Sequence, residues 1–428
     1  MEIAFLAIVL ALILGLALAF LLSPFLTKEE HKNVPDGSMG WPLCGETLSF
    51  LKPHRSYSIG NFLQERCSRY GKIFKSRLFG SPAIVSCDPE LNMFILQNEE
   101  KLFRASYPKP MHGILGKFSL LILSGHHHRK LRNVAINFVA MAKTSPTFLH
   151  CAEKYAVSIM ESWKDRKEVA VHEEAKKFML SLMVKSLLSI EPDQASDILQ
   201  DFRTYMKGFV SLPIAFPGSS YTKAKKARER LSSTVREIIR QRGKEDMRLS
   251  KGDFLDVILS NNKLSHDEIV SIVLDILFGG YETTSTLIPL IVYFLAQEPT
   301  VLQTFKDEHE TIRKSKTDGK PLDLDDYRKM EFTQNVISES MRCGNVVKFV
   351  HRRALQDVKY KEYIIPSGWL VLPIFTAAHF DESLHDNPFK FDPWRWNVSS
   401  IRSFNDILIL FFGLPFWDFA FTGCTPNG

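Results

Sequence analysis

Apolar residues gather in two dense stretches, and much of the chain is organised around them. Residues Ile3 to Leu22 form an uninterrupted apolar run, about the ~20 residues that cross a bilayer. It lacks the short apolar core and small-residue cleavage site of a removable leader. Glu2 precedes it, and Lys28, His31 and Lys32 follow. The positive-inside rule therefore puts the N-terminus in the lumen and the body in the cytosol. The expectation is a transmembrane signal anchor over residues 1–24.

The second stretch opens at Ser265-His266-Asp267-Glu268, which has the Ser-x-x-Glu form of a capping box. From Ile269 to Leu277 nearly every side chain is apolar, which predicts a helix buried on most sides. The pattern runs to about Gln297, with Pro289 as a kink. Inside it stand Gly279 and Gly280, then Glu282 and Thr283. Glycines in mid-helix cost about 1 kcal/mol each relative to alanine, which makes sense where something large approaches the backbone. A buried acid beside a hydroxyl can relay protons along a water chain. Equally, the glycines can ease a helix crossing while Thr283 bonds back to a carbonyl one turn earlier.

Elsewhere the pattern is milder. Pro35-Asp36-Gly37-Ser38-Met39-Gly40-Trp41-Pro42 predicts a stiff irregular connector within residues 25–52. Strands are predicted at Ile73 to Leu78 and Ala83 to Ser86, and from about Leu91 the chain reads as mostly helical. Asp325 to Arg342 reads as one amphipathic helix with apolar Met330, Val336, Ile337 and Met341. It ends in Glu339 and Arg342, an i, i+3 pair of a kind common on surfaces. Strands follow at Val346 to Leu355, Tyr363 to Ile365 and Trp369 to Leu372. The sequon Asn397-Val398-Ser399 would go unused on the cytosolic side.

The 428 residues suffice for one large domain or two ordinary ones. A net charge of +6 argues against nucleic acid as main partner. Cysteines 44, 67, 87, 151, 343 and 424 show no paired or zinc-binding spacing and read as reduced cytosolic thiols. Adjacent His126, His127 and His128 point in different helical directions and chelate one ion poorly, so no metal site is assigned to them. His128 and Arg132, one turn apart, would present two donors to an anion, or form part of a basic solvated face. The apolar loop Phe209 to Gly218 precedes a basic helix from about Lys223 to Lys244. This pair suits either a membrane-lying surface or a tucked loop beside a solvated helix.

Taken in order, the anchor, the Pro-Gly hinge, His128-x-x-x-Arg132, Gly279-Gly280-x-Glu282-Thr283-Thr284, Glu339-x-x-Arg342 and Pro393-x-Arg395-Trp396 resemble the cytochrome P-450 family of haem-thiolate monooxygenases. Arg342-Cys343-Gly344-Asn345-Val346-Val347-Lys348-Phe349 and Ile365-Pro366-Ser367-Gly368-Trp369 are similar to its plant steroid-hydroxylating branch, nearest the brassinosteroid C-22 hydroxylase group. The resemblance implies a mainly α fold with a smaller β region, its monooxygenase domain spanning residues 53–400. It implies haem as cofactor, with Gly279 and Gly280 letting the long helix pass close to it. Glu282 and Thr283 would manage protons for oxygen activation. His128, Arg132 and Arg352 would hold the haem propionates. Glu339, Arg342 and Arg395 would form a buried structural cluster. Met111 to Leu121 and Phe209 to Phe216 would border the substrate pocket. An NADPH-dependent reductase, a sterol-like small molecule and membrane lipid are the implied partners, with the body tethered by one span to the endoplasmic reticulum membrane.

One family feature is missing. The iron-binding cysteine belongs to a Phe-x-x-Gly-x-x-x-Cys-x-Gly loop, and matching Cys424 to it puts Trp417, Ala420 and Pro426 at the Phe and Gly positions. The expectation is therefore a C-terminally truncated fold with an atypical tail over residues 401–428. Such a chain is either a membrane-bound sterol hydroxylase or a non-catalytic form that binds lipid or a partner.

Overall fold

A computed structural model describes residues 11–18, 32–41, 45–55, 57–209, 211, 215–242, 252–260, 264–316 and 320–397. Cys44, the sequon's Val398 and Ser399, the tail with Cys424 and most of the Ile3 to Leu22 run lie outside them. Residues 11–18 are helical and exposed. Among the described residues no single helix is long and apolar enough to cross a membrane. The chain divides into two compact units, one formed by the chain up to Arg104 with Val350–Ile374, the other by Ala105–Phe349 and the chain from Phe375 on.

The smaller unit contains α1 (Thr47–Phe50), α2 (Asn61–Tyr70), β1 (Ile73–Leu78), β2 (Ser81–Ser86), α3 (Pro89–Gln97), β3 (Phe103–Ala105), β4 (Arg352–Ala354), β5 (Val358–Tyr360), β6 (Tyr363–Ile365) and β7 (Leu370–Pro373). Its main sheet has the order β1-β2-β7-β4-β3, and β5 and β6 pair separately. β1 and β2 are antiparallel with Ile73 opposite Ser86, and β2 runs parallel to β7. Ile84, Leu91, Ile95, Phe103 and Val371 are fully buried at its centre. Part of the predicted connector is laid along β1. Gly37 bridges to Lys75, whose N–H donates to the Asp36 carbonyl at 2.9 Å. Glu46 accepts from Ser76 Oγ at 2.7 Å and Arg66 Nε at 3.1 Å. The strand predicted over Val346 to Leu355 shrinks to β4. The Lys348 carbonyl is instead taken by the Phe375 N–H at 2.9 Å, within the larger unit.

The larger unit contains α4 (Lys109–Leu115), α5 (Gly125–Thr144), α6 (Pro146–Glu161), α7 (Val171–Leu188), α8 (Ser196–Lys207), α9 (Ser220–Arg242), α10 (Phe254–Ser260), α11 (His266–Gln297), α12 (Pro299–Lys314), α13 (Leu324–Lys329), α14 (Glu331–Gly344), α15 (Phe375–His379) and a 3-10 turn at Pro393–Trp396. α11 runs unbroken through Pro289 for 32 residues, about 48 Å at the usual rise. Its capping box is complete: Ser265 Oγ accepts the Glu268 N–H at 3.3 Å, and Glu268 Oε2 accepts the Ser265 N–H at 2.8 Å. Its Ile272 and Val273 share one core with Val184, Leu187, Phe202, Tyr205 and Ala227, all fully buried.

The single helix predicted over Asp325 to Arg342 is two helices. Asp323 caps α13. Glu308 of α12 then caps the next helix, accepting the N–H groups of Phe332 at 2.7 Å and Thr333 at 2.9 Å. That cap arrives from a distant helix, so the chain breaks at Met330 although the apolar spacing continues. The Phe209 to Gly218 segment divides. Phe209 packs on Tyr205 and Phe278 with ring centroids 5.2 and 4.8 Å away, whereas Phe216 is 68% exposed. In the basic helix, Ala224, Ala227, Leu231, Val235 and Ile239 form the buried stripe.

Candidate active site

The first half of α11 is sealed. Every residue from Glu268 to Leu277 is buried. Beyond Tyr281 the packing opens: Glu282 is exposed, Thr283 and Thr284 are half-buried, and Ser285 is buried again. The sequence-predicted pair Glu282 and Thr283 therefore stands where the helix leaves its core. Thr283 Oγ1 donates to the Gly279 carbonyl at 2.7 Å. Its proton is thus spent on the helix, which leaves the oxygen able to act only as an acceptor. A Cβ on Gly280 would lie 2.9 Å from Met183 Cε, so this glycine answers to the crossing of α7 and α11. The helix crossing at Gly280 and the back-bond of Thr283, which together made up one of the two readings open in the sequence, are both present.

One turn before Gly279 lies a residue that the sequence reading passed over. Asp275 is 2% exposed and accepts from Ser119 Oγ at 2.8 Å and the Leu120 N–H at 2.7 Å. Burial pushes its carboxyl up to about 7, against the pull of those two donors and of Arg228. Arg228 Nε also donates to the Leu115 carbonyl at 3.0 Å. The segment that follows α4 is thus tied to α9 at Leu115 and to α11 at Ser119 and Leu120. It falls within Met111 to Leu121, assigned above to the border of the substrate pocket. Nearby, burial raises the pKa of Tyr205, whose hydroxyl has no hydrogen-bond partner among the described residues. The signal for Asp275 was a lone carboxylate inside an apolar run.

His128 and Arg132 sit one turn apart on α5, both half-buried, while His126 and His127 are exposed. Lys130 of the same helix reaches Glu268 Oε1 at 3.0 Å. Arg352 lies in the smaller unit, on β4, and is 7% exposed. Its Nη2 pairs with Glu99 Oε2 at 3.1 Å and its Nη1 donates to the His351 carbonyl at 3.1 Å. Its Nε–H, however, has no partner among the described residues. Burial, with Arg352 alongside, pushes the imidazole of His351 down to about 4.

The structure brings Glu339, Arg342 and Arg395 together. Glu339 and Arg342 are fully buried, so the spacing that suggested an ordinary surface pair belongs to an interior one. Glu339 Oε1 accepts from Arg342 Nη2 at 2.8 Å, Arg395 Nε at 3.0 Å and the Asp392 N–H at 2.9 Å. Its Oε2 accepts from Arg342 Nε at 3.0 Å and Trp396 Nε1 at 2.9 Å. Burial alone would raise the Glu339 carboxyl, but Arg342 and Arg395 outweigh it and hold the group below its usual range. Cys343 is enclosed in the same cluster and pushed up to about 12 by burial, which makes it an inert thiol. Among the described residues no group of three or more His, Cys, Asp or Glu is placed to hold a metal ion. The described cysteines 67, 87, 151 and 343 are unbridged.

Comparison with known proteins is consistent along the chain. The family model described as Cytochrome P450 matches residues 35–413. The chain is 52% identical over 400 residues to Cytochrome P450 724B1 of Oryza sativa subsp. japonica, covering 91% of this chain and 83% of that protein. It is 43% identical over 384 residues to a cholesterol 22-monohydroxylase of Paris polyphylla, covering 88% and 81% respectively. It is also 39% identical over 380 residues to a steroid (22S)-hydroxylase of Oryza sativa subsp. japonica, covering 87% and 75%. Among solved structures, a retinoic acid-bound cyanobacterial CYP120A1 superposes with a TM-score of 0.75 at 26% identity, covering 88% of this chain and 85% of that one.

Proposed function

This chain belongs to the cytochrome P450 family of haem monooxygenases, and from that premise we propose that it hydroxylates the side chain of a sterol at C-22 in a brassinosteroid-type pathway. The observation that carries the substrate class is the identity of 39–43% to relatives named as cholesterol and steroid 22-hydroxylases, over most of the chain. We place it on the endoplasmic reticulum membrane, held by the apolar run at Ile3 to Leu22, with an NADPH-dependent reductase as electron donor.

The donor set fits part of a haem site. In the larger unit, the half-buried His128 and Arg132 present side-chain donors of the kind a propionate accepts. The axial thiolate is not among the described residues. When bound, haem supplies the oxygen-activating chemistry of the family. This chain's own residues would then hold the substrate and move protons. Exposed Glu282 can exchange protons with solvent, and Thr283 Oγ1, its own proton committed to Gly279, offers an acceptor beside it. The Asp275 tie fixes the segment bordering the substrate.

A second reading rests on the cysteines. Cys343 is locked in the arginine cluster, and the sequence around Cys424 lacks the family's loop. On that reading the chain binds a sterol without oxidising it. The test is a reduced, carbon monoxide difference spectrum on the full chain, with haem content and sterol binding assayed together. A thiolate-type Soret band and a hydroxylated sterol support the first reading. Folded, haem-free protein that still binds sterol supports the second. Folded protein that binds no sterol overturns both.

A further inference from the structure

The loop between α4 and α5, residues 116–124, is bounded by two glycines in left-handed conformations. Gly116 takes φ 85° and Gly125 takes φ 64°, values that suit a residue without a Cβ. Between them the loop folds on Ser119. The Ser119 carbonyl accepts the N–H groups of Ile122 at 3.1 Å and Leu123 at 3.0 Å, and its Oγ accepts the Leu121 N–H at 3.3 Å. Its ties to the rest of the chain are few. Among the described residues, the loop's hydrogen bonds beyond its two flanking helices go to Asp275 alone, from Ser119 Oγ at 2.8 Å and the Leu120 N–H at 2.7 Å. Phe118, Leu120 and Leu123 add apolar packing against the core around α11.

Both donors are neutral, and the carboxyl that they meet is 2% exposed. An anion there has lost its hydration and gained only neutral hydrogen bonds in return. A carboxylic acid suits the site better. One of its oxygens still accepts the Leu120 N–H, while its O–H and the Ser119 hydroxyl can share a hydrogen bond in either direction. Burial accordingly pushes the carboxyl up to about 7. The ionisable groups facing it from the packed helices are Tyr205 of α8 and Arg228 of α9, and Lys117 of the loop itself is exposed. Burial moves Tyr205 further from neutrality, and a guanidinium keeps its charge. Asp275 is therefore the buried member of this group that changes charge near neutral pH.

We propose that Asp275 is a proton-operated latch on the 116–124 loop. While the carboxyl keeps its proton, the loop stays closed on α11. Once ionised, the carboxylate favours the opened loop, where water solvates it, and the two glycines absorb the change in backbone angles. The opened carboxyl ionises near 3.8 and the closed one near 7, so opening grows easier as pH rises from about 4 and levels off above 7. If this loop borders the sterol pocket, the latch sets how readily the sterol enters and leaves. That consequence rests on the proposed function; the latch itself does not.

The test follows amide hydrogen exchange of the full chain at pH 5, 6, 7 and 8, each rate compared with that of the unfolded chain at the same pH. Protection at Leu120 should fall about tenfold per unit from pH 5 to 7 and level off above; in Asp275→Asn it should stay constant. Ser119→Ala, which removes one bond from the loop's side, should lower protection roughly fivefold. At every pH Leu120 should be less protected than Ile272, fully buried in α11. A pH-independent Leu120, a fall that persists in Asp275→Asn, or protection equal to that of Ile272 would each overturn the latch. The wild-type profile and Ser119→Ala decide even if Asp275→Asn fails to fold. With cholesterol as the probe, release should quicken from pH 5 to 7 in the wild type and not in Asp275→Asn. Release that ignores pH while Leu120 titrates would overturn the gating of the pocket. A chain that binds no sterol refutes the proposed function, and the amides then decide the latch alone.

Discussion

Replacing Glu339 by Gln isolates the contribution of one buried charge. Five N–H donors converge on this carboxylate, from Arg342, Arg395, Asp392 and Trp396. Arg342 would keep its bonds to the carbonyls of His379 at 2.7 Å and Pro388 at 2.6 Å, but its charge would lose its counter-ion. Leaving a buried charge without its partner costs ~3–5 kcal/mol, against ~0–1 kcal/mol for an exposed pair. Total domain stability is of order 5–15 kcal/mol, so the variant gives up a large share of it. With a urea slope near 3 kcal/mol/M, the unfolding midpoint should fall by roughly 1–1.7 M. The assay is urea unfolding at neutral pH followed by circular dichroism. A Glu339→Gln midpoint within ~0.3 M of wild type would refute the reasoning, because it would place the pair in the energetic class of surface ion pairs. A double variant, Glu339→Gln with Arg342→Met, should recover part of the loss, since it removes the stranded charge as well.

Asp275 makes a prediction of opposite sign in pH. Its folded pKa, about 7, lies above its ordinary value near 3.8. Its contribution is therefore fully present below pH ~4 and is lost as pH rises towards 7, amounting to ~4 kcal/mol. Asp275→Asn should flatten the stability profile between pH 4 and 7; an unchanged slope would refute the assignment. Gly37→Ala would drive a Cβ into the Lys75 carbonyl oxygen. The strand or the connector must move, at ~1–3 kcal/mol, and faster amide exchange at Lys75 would report it; unchanged exchange would contradict the contact.

The features legible in the sequence were those whose causes are local. The capping box at Ser265, the long apolar helix, the β1–β2 pair and the β6 strand all follow from neighbours a few residues apart. The break at Met330 did not, because Glu308 supplies the cap from another helix. Glu339 and Arg342 looked like a surface pair because spacing says nothing about depth; residues 386–396 decide it. Asp275 was hidden by the apolar run around it. The motif left open whether Thr283 bonds back to its own helix; the structure shows its hydroxyl donating to the Gly279 carbonyl.

The arginine cluster also sets an order of events. The Asp392, Arg395 and Trp396 partners of Glu339 lie 53, 56 and 57 residues downstream. As the chain leaves the ribosome, α14 emerges with its acid answered by Arg342 alone. Closing the intervening loop carries an entropic cost that grows only slowly with its length, so the delay is set chiefly by synthesis. For the time that those residues take to appear, at ~5–20 per second, the apolar flank of α14 awaits its covering, and a chaperone able to shield it has its opportunity in that interval.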